Sequence, residues 1–196
     1  MALLDWISEA TGPVVAGQGV VLRPPRLGDH EAWAALRQES YAYLQPWEPT
    51  WPEDDLTRAA FKRRLSIYQR EMELGNAWPF FIFAAKDRTL VGAITLSNIR
   101  RGVADTGTLG YWIGQRHAGH GLGAAAVRAM ADYAFNELNL HRVEAACVPE
   151  NHASRRVLEK AGFELEGRAR AYLKINGAWA DHLLFGRVND GSGHGG

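Results

Sequence analysis

Between a β-rich run and an Ala-rich stretch of helical pattern stand five residues, Gly119-His120-Gly121-Leu122-Gly123. Glycine lets the backbone close on a ligand, and the first-turn N–H groups of the following helix lack partners, so the segment is suited to hold an anion. Read as G-x-G-x-x-A through Gly119, Gly121 and Ala124, it satisfies a relaxed dinucleotide fingerprint, with Glu150 standing for the ribose-binding acid. Position argues against a dinucleotide. Only one further helix and one hairpin follow, too little for the rest of a doubly wound nucleotide domain, and the strands before the loop run as hairpins. His117 and His120 are three apart with a glycine between them, and no acid–histidine helix lies nearby, so no metal site is expected. The pairs Arg63-Arg64, Arg100-Arg101 and Arg155-Arg156 read as solvated surface.

The 196 residues carry 22 basic and 22 acidic side chains, a formal net charge of zero, and 46% of them are hydrophobic. That is the composition of one globular domain. Neutrality speaks against a bulk nucleic-acid coat or a polybasic membrane binder, both of which need surplus Lys and Arg. Neither a membrane nor a sequence-specific DNA partner is expected. The one cysteine, Cys147, excludes an intrachain disulfide framework and fits a reducing compartment. The most continuous apolar stretch, residues 77–85, is too short for a bilayer, which takes about 20 residues. MALLDWISEA at the start lacks the basic region of a signal peptide. The expected location is the cytoplasm.

The elements that must position the glycine loop follow from pattern. Residues 1–18 read as a lead-in, 19–188 as a single domain and the Gly-rich 189–196 as a disordered tail. Residues 20–23 predict a short strand, and Asp29 the N-cap of a helix through Ser40 that buries Trp33 and Leu36. A Trp- and Pro-rich loop, 44–52, precedes a long helix from about Glu53 to Leu74, acidic at its start and closed by Gly75. Residues 78–85 and 89–97 predict a hairpin, 108–113 a strand leading to the glycine loop, and then a helix to about Glu137. A strand over 142–148, a helix over 151–161 and a long hairpin, 163–175 with 178–188 turned by Asn176-Gly177, complete the chain. The result is a mixed α/β fold, about seven strands flanked by about four helices.

The stretch LGYWIGQ at 109–115, followed by Gly119–Gly123, resembles the acetyl-CoA loop of the GCN5-related N-acetyltransferases, or GNAT superfamily. NHASRRVLEKAGF at 151–163 is similar to that superfamily's second signature. Pro46-Trp47-Glu48-Pro49, Glu166-Gly167, Tyr172-Leu173, Asn176-Gly177-Ala178-Trp179 and Asp181-His182 resemble the RimJ and RimL type of ribosomal-protein N-acetyltransferase, RimJ more closely. The resemblance runs from about Val20 to Val188. It implies a mostly antiparallel sheet whose central parallel strands splay to admit the pantetheine arm of acetyl-CoA, the co-substrate. The implied acceptor is a primary amine, first the N-terminal α-amine of a ribosomal protein, with a ribosome contact. A small-molecule amine, or a non-catalytic acyl-CoA- or ribosome-binding module, stays open as an alternative. So does the choice between monomer and homodimer. Trp112 and Ile113 are implied as backbone contacts to pantetheine, and Gly119, His120, Gly121, Leu122, Gly123 and Ala124 as the pyrophosphate cradle. Ala118 stands where the superfamily's loop usually opens with Gln or Arg, which removes a side-chain contact to phosphate; Arg116 and His120 are candidates to replace it.

Amide formation from acetyl-CoA needs a neutral amine, a polarised thioester carbonyl and a proton for the leaving thiolate. An α-amine, with a pKa of about 7.7–8.0, is roughly one-tenth neutral near pH 7, so an N-terminal acceptor asks little of a base. The resemblance makes Ser154 the general acid; a solvent-facing helix serine is the plain alternative. Asn151 is placed both to cap that helix and to touch the pantetheine amide. Ile113 N–H is the expected oxyanion donor. Glu144 and Glu48 are the carboxylates ranked as base, each with a structural role as its alternative. Trp47 and Trp51 are expected to bind substrate, and Tyr111 and Trp112 to pack in the core.

Overall fold

Period-two patterning carries the apolar residues of most strands into one sheet, with a different set of helices covering each face. The computed structural model describes residues 12–191; residues 1–11 of the expected lead-in and 192–196 of the expected tail lie outside the described residues. The strands are β1 (Val15–Gly17), β2 (Val20–Arg23), β3 (Trp78–Ala84), β4 (Leu90–Arg100), β5 (Thr106–Ile113), β6 (Arg142–Cys147), β7 (Glu164–Ile175) and β8 (Ala178–Val188). The helices are α1 (His30–Glu39), α2 (Tyr41–Leu44), α3 (Arg58–Glu73), α4 (Leu122–Asn136) and α5 (His152–Lys160). The sheet order is β1-β2-β3-β4-β5-β6-β8-β7. Every neighbouring pair is antiparallel except β5 with β6.

The Ala-rich α4 packs Ala126, Val127, Met130 and Ala134 with Leu22, Ile82, Leu96 and Leu109 of one sheet face, joined there by Leu158 of α5. On the opposite face Trp33 and Leu36 of α1 and Phe61 of α3 meet Phe81, Phe83 and Leu90. The parallel pairing is brief. It runs from Thr106↔Arg142 to Leu109↔Ala145, whereas β5 continues to Ile113 and β6 to Cys147. The two central strands therefore part after Leu109 and Ala145, as the resemblance implies.

Among the described residues the sheet has eight strands rather than about seven. The extra one is β1, inside the expected lead-in; Gly17 lets it lie against α4, since a Cβ there would fall 2.9 Å from that of Ala129. A fifth helix, the single turn of α2, precedes the Trp/Pro loop. The long helix starts at Arg58, not Glu53, because the Thr57 hydroxyl caps it by accepting the Ala60 N–H at 3.2 Å. Asp54 and Asp55 instead reach forward from the preceding turn to Arg63 and Arg64. Asp29 marks the start of α1 but does not cap it; its carboxylate accepts from Arg23 and from the Arg26 N–H. Asn176 and Gly177 both take positive φ, +46° and +84°, as a type I′ turn demands.

Candidate active site

Gly119 and Gly121 adopt φ of +81° and +80°, a region that side chains disfavour, and a Cβ on either would meet nothing within 4 Å. The first helical bond of α4 runs from Ala125 N–H to the Gly121 carbonyl at 3.0 Å. The N–H groups of Leu122, Gly123 and Ala124 thus have no helical acceptor and line the N-terminus of a 15-residue helix. Such a terminus suits an anion through its backbone alone, whatever side chain stands at Ala118. Arg116 turns elsewhere: it pairs with Glu39 at 2.9 Å and its Nε donates to His117 at 3.0 Å. Burial, aided by Arg116, lowers the His117 pKa. Among the described residues no group of three or more His, Cys, Asp and Glu side chains is arranged to hold a metal ion.

The gap between β5 and β6 opens beside this cradle. Gly114 N–H donates to the Val91 carbonyl at 2.9 Å, so it points toward β4. Peptide groups alternate along a strand, which turns the Ile113 N–H the other way, into the gap. The Trp112 carbonyl points toward β4, where a Cβ on Gly92 would lie 2.1 Å from it. Of the two residues expected to offer backbone to pantetheine, Ile113 is thus the one facing the gap.

Asn151 caps α5 with Oδ1, which accepts the Ser154 N–H at 2.9 Å. The cap fixes the Ser154 main chain at the end of the gap. The Ser154 hydroxyl does not simply face water. It lies 2.8 Å from the Tyr111 hydroxyl on β5 and hydrogen-bonds the Cys147 thiol on β6. The Tyr111 hydroxyl also lies 3.1 Å from the Ser154 carbonyl. Burial pushes the Tyr111 phenol well above its ordinary range against the hydrogen bond to Ser154, and burial also raises the Cys147 thiol. One hydroxyl is therefore held from both strands that bound the gap.

On the opposite sheet face a cleft of about 500 Å³ opens over β3, β4 and β5, lined by Arg37, Glu48, Trp51, Tyr68, Thr95, Gly110 and Trp112 among others. Arg37 is 8% exposed. Its Nη1 donates to Glu48 Oε1 at 2.9 Å while Trp51 Nε1 donates to Glu48 Oε2 at 2.8 Å. The guanidinium lies 3.8 Å from the Trp51 ring centre and 5.0 Å from that of Trp112. Asp55 and Arg64 form a second ion pair in the same wall. The tip of the β7–β8 hairpin meets the Trp/Pro loop here, Asn176 N–H donating to the Glu48 carbonyl at 3.1 Å. Trp51 lines this cleft; Trp47, in the turn before it, does not. Glu144 stands apart, level with Thr108 and Gly186 where the strands are still paired, in ion pairs with Arg142 at 3.1 Å and Arg100 at 3.4 Å.

Two positions at these sites do more than the sequence shows. Tyr111 reads as core but carries a hydroxyl engaged with Ser154, and Arg37, to which the sequence assigns no role, forms part of the cleft wall. Arg37 did leave a signal, since it is four residues from Trp33 and so falls on the buried stripe of α1.

The acetyltransferase (GNAT) domain family matches residues 20–164. The chain is 38% identical over 176 residues to the probable N-acetyltransferase YjcK of Bacillus subtilis, spanning 90% of this chain and 97% of that one. It is 35% identical over 158 residues to the [ribosomal protein uS5]-alanine N-acetyltransferase of Escherichia coli, with 80% and 81% covered. The solved structure of Mycobacterium smegmatis RimJ in complex with CoA-disulfide superposes with a TM-score of 0.84 at 33% identity, over 93% of this chain and 88% of that one.

Proposed function

The chain belongs to the GNAT acetyltransferase family, and on that premise we propose that its acceptor is the N-terminal α-amine of a protein, a ribosomal protein first. Acetyl transfer from acetyl-CoA is the family's reaction, and the cradle at α4 and the gap beside it suit a diphosphate with a long arm. The similar E. coli enzyme acts on an alanine of ribosomal protein uS5, which supports the acceptor class. The observation that carries the reading is the cleft itself. It opens on the sheet face opposite the cradle, runs from the Trp/Pro loop to β5, and balances Arg37 and Arg64 against Glu48 and Asp55. A polyamine site would need surplus carboxylates, and this wall has none to spare.

Bound acetyl-CoA supplies the carbonyl that the amine attacks and the sulfur that leaves. Ile113 N–H meets the charge developing on the carbonyl oxygen. The Ser154 hydroxyl donates to the departing sulfur. Asn151 fixes the Ser154 main chain, and the N–H groups from Gly119 to Ala124 hold the phosphates. Neither ranked carboxylate serves as base, because Glu48 and Glu144 are both engaged by arginine. The amine loses its proton to water, which its own pKa of about 7.7–8.0 permits near neutrality.

Free-thiol release from acetyl-CoA tests the reading, with Ala- and Ser-starting peptides from ribosomal proteins, the same peptides already N-acetylated, and a panel of small amines. Turnover with free N-termini alone is expected. Turnover with small amines but none with peptides overturns the acceptor assignment.

A further inference from the structure

Tyr111 Oη sits within hydrogen-bond distance of two acceptors, Ser154 Oγ at 2.8 Å and the Ser154 carbonyl at 3.1 Å, and a phenol has one proton to give. With that proton on the carbonyl, the serine donates to the phenol and its own proton is spent. With it on Oγ, the serine proton is free to point at a third group. The main chain cannot supply this choice, since the Asn151 cap holds the Ser154 N–H at 2.9 Å. Among the described residues the other group hydrogen-bonded to Oγ is the Cys147 thiol, which as a hydrogen-bonding group is weak in both directions.

We propose that Tyr111 is a positioning residue for acyl transfer: its phenol donates to Ser154 Oγ and so turns the serine's proton toward the sulfur that leaves the acetyl group. The inference rests on the acetyl-transfer reading with Ser154 as the donor. A serine hydroxyl is a far weaker acid than a thiol, whose pKa is about 8.5. Ser154 therefore keeps its proton and stabilises the thiolate by donating a hydrogen bond while the C–N bond forms and the C–S bond breaks. The amine's proton goes to water and the thiolate later takes one back from it. Such a donor is only as good as its direction, because hydrogen bonds weaken steeply once bent. Tyr111 keeps its own proton throughout, since burial opposes a phenolate there.

The test compares wild type, Tyr111→Phe, Ser154→Ala and the double variant. Phe fills the same space, so each protein is first checked for an unchanged melting profile. Tyr111→Phe is expected to lower kcat about tenfold, the scale of one lost hydrogen bond, with KM for acetyl-CoA and for peptide within about twofold. The double variant is expected to be no slower than Ser154→Ala, because Tyr111 acts only through Ser154. A crystal structure of Tyr111→Phe is expected to show Ser154 Oγ rotated away from its present place, a readout that stands whether or not the acceptor is known. Unchanged kcat in Tyr111→Phe, an unmoved Ser154 side chain, or independent losses in the double variant overturns the proposal. If Ser154→Ala keeps full kcat on the peptide, the donor role and this inference fall together while the acceptor reading stands. If no peptide is acetylated by wild type, that reading falls, and the cycle is run on whichever amine does turn over.

Discussion

Glutamine in place of Glu48 separates a catalytic carboxylate from a structural one. Both oxygens of Glu48 accept, from Arg37 at 2.9 Å and Trp51 at 2.8 Å. Glutamine keeps one acceptor oxygen and sets an NH₂ against the other donor. One N–H loses its partner, and Arg37, 8% exposed, loses its counter-charge. Stranding a buried donor costs about 1–3 kcal/mol, and stranding a buried charge about 3–5 kcal/mol. The Glu48 side chain is still 19% exposed and the rings of Trp51 and Trp112 remain over the guanidinium, so water and the ring faces offset part of this. A loss of about 2 kcal/mol is expected, read as a fall of about 4–8 °C in melting temperature for a chain of this size. In steady-state thiol release, the loosened wall raises the peptide KM several-fold, leaves KM for acetyl-CoA in place and lowers kcat less than about tenfold. A general base would behave otherwise, its removal costing about 10²–10⁴ in rate. A Glu48→Gln variant with unchanged melting and kcat down more than a hundredfold would refute the structural account and restore Glu48 as base.

Gly92→Ala places a Cβ 2.1 Å from the Trp112 carbonyl and 3.1 Å from Ile113 Cα, forcing β4 from β5. It is expected to lower stability by about 1–3 kcal/mol and raise KM for acetyl-CoA, while Gly110→Ala, with nothing within 4 Å, leaves the melting temperature nearly unchanged. Ala118→Arg restores a side chain beside the phosphate cradle. Its KM for acetyl-CoA should drop by about two- to tenfold, the scale of an exposed charge-assisted hydrogen bond, and equal KM values would show that the backbone cradle suffices. Tyr111→Phe also has an alkaline signature. The folded phenol is raised above its unfolded value near 10, so its contribution is complete below that pH and is lost as pH rises toward the folded value. Wild type should lose up to about 1.4 kcal/mol per pH unit in this window from that group alone, and urea midpoints between pH 9 and 12 should fall less steeply in the variant. Parallel slopes for the two proteins would mean that Tyr111 ionises as an exposed tyrosine does.

The legible parts of the site are those written locally. Glycines at 119 and 121, an Asn three residues before Ser154, and Asn-Gly at 176–177 each announce a backbone geometry within a few residues. Contacts that join distant segments leave no such trace. Tyr111 and Ser154 are 43 residues apart, and the aromatic ring gave a sufficient reason for burial without its hydroxyl. For Glu48 the structural alternative could be named but not its partners, because nothing in the Trp/Pro loop shows that Arg37 reaches it from α1 and that Trp51 folds back onto it. β1 was missed for a different reason: three residues are too few to show alternation, and its support comes from β2 and α4.

Cradle, gap and donor follow from one topological feature. A parallel pair inside an antiparallel sheet requires a crossover, and here it is α4 between β5 and β6. The crossover helix must begin beyond the carboxyl end of β5, so its N-terminus comes to lie where the strand leaves the sheet. α5 begins in the same way just after β6 ends at Cys147. Two helix N-termini thus meet at the mouth of one gap, and the sequence gives them different fates. Asn151 closes that of α5 with its side chain and presents Ser154 three residues on. Gly121 carries no side chain to close that of α4, leaving its N–H groups open to an anion. An acyl carrier that lays its diphosphate on the open terminus and its arm along the gap must bring its thioester to the capped one. On the proposed reading, that separation of anchoring from chemistry lets a chain of zero net charge hold a polyanionic co-substrate: the binding charge is carried by peptide dipoles, which no count of side chains includes.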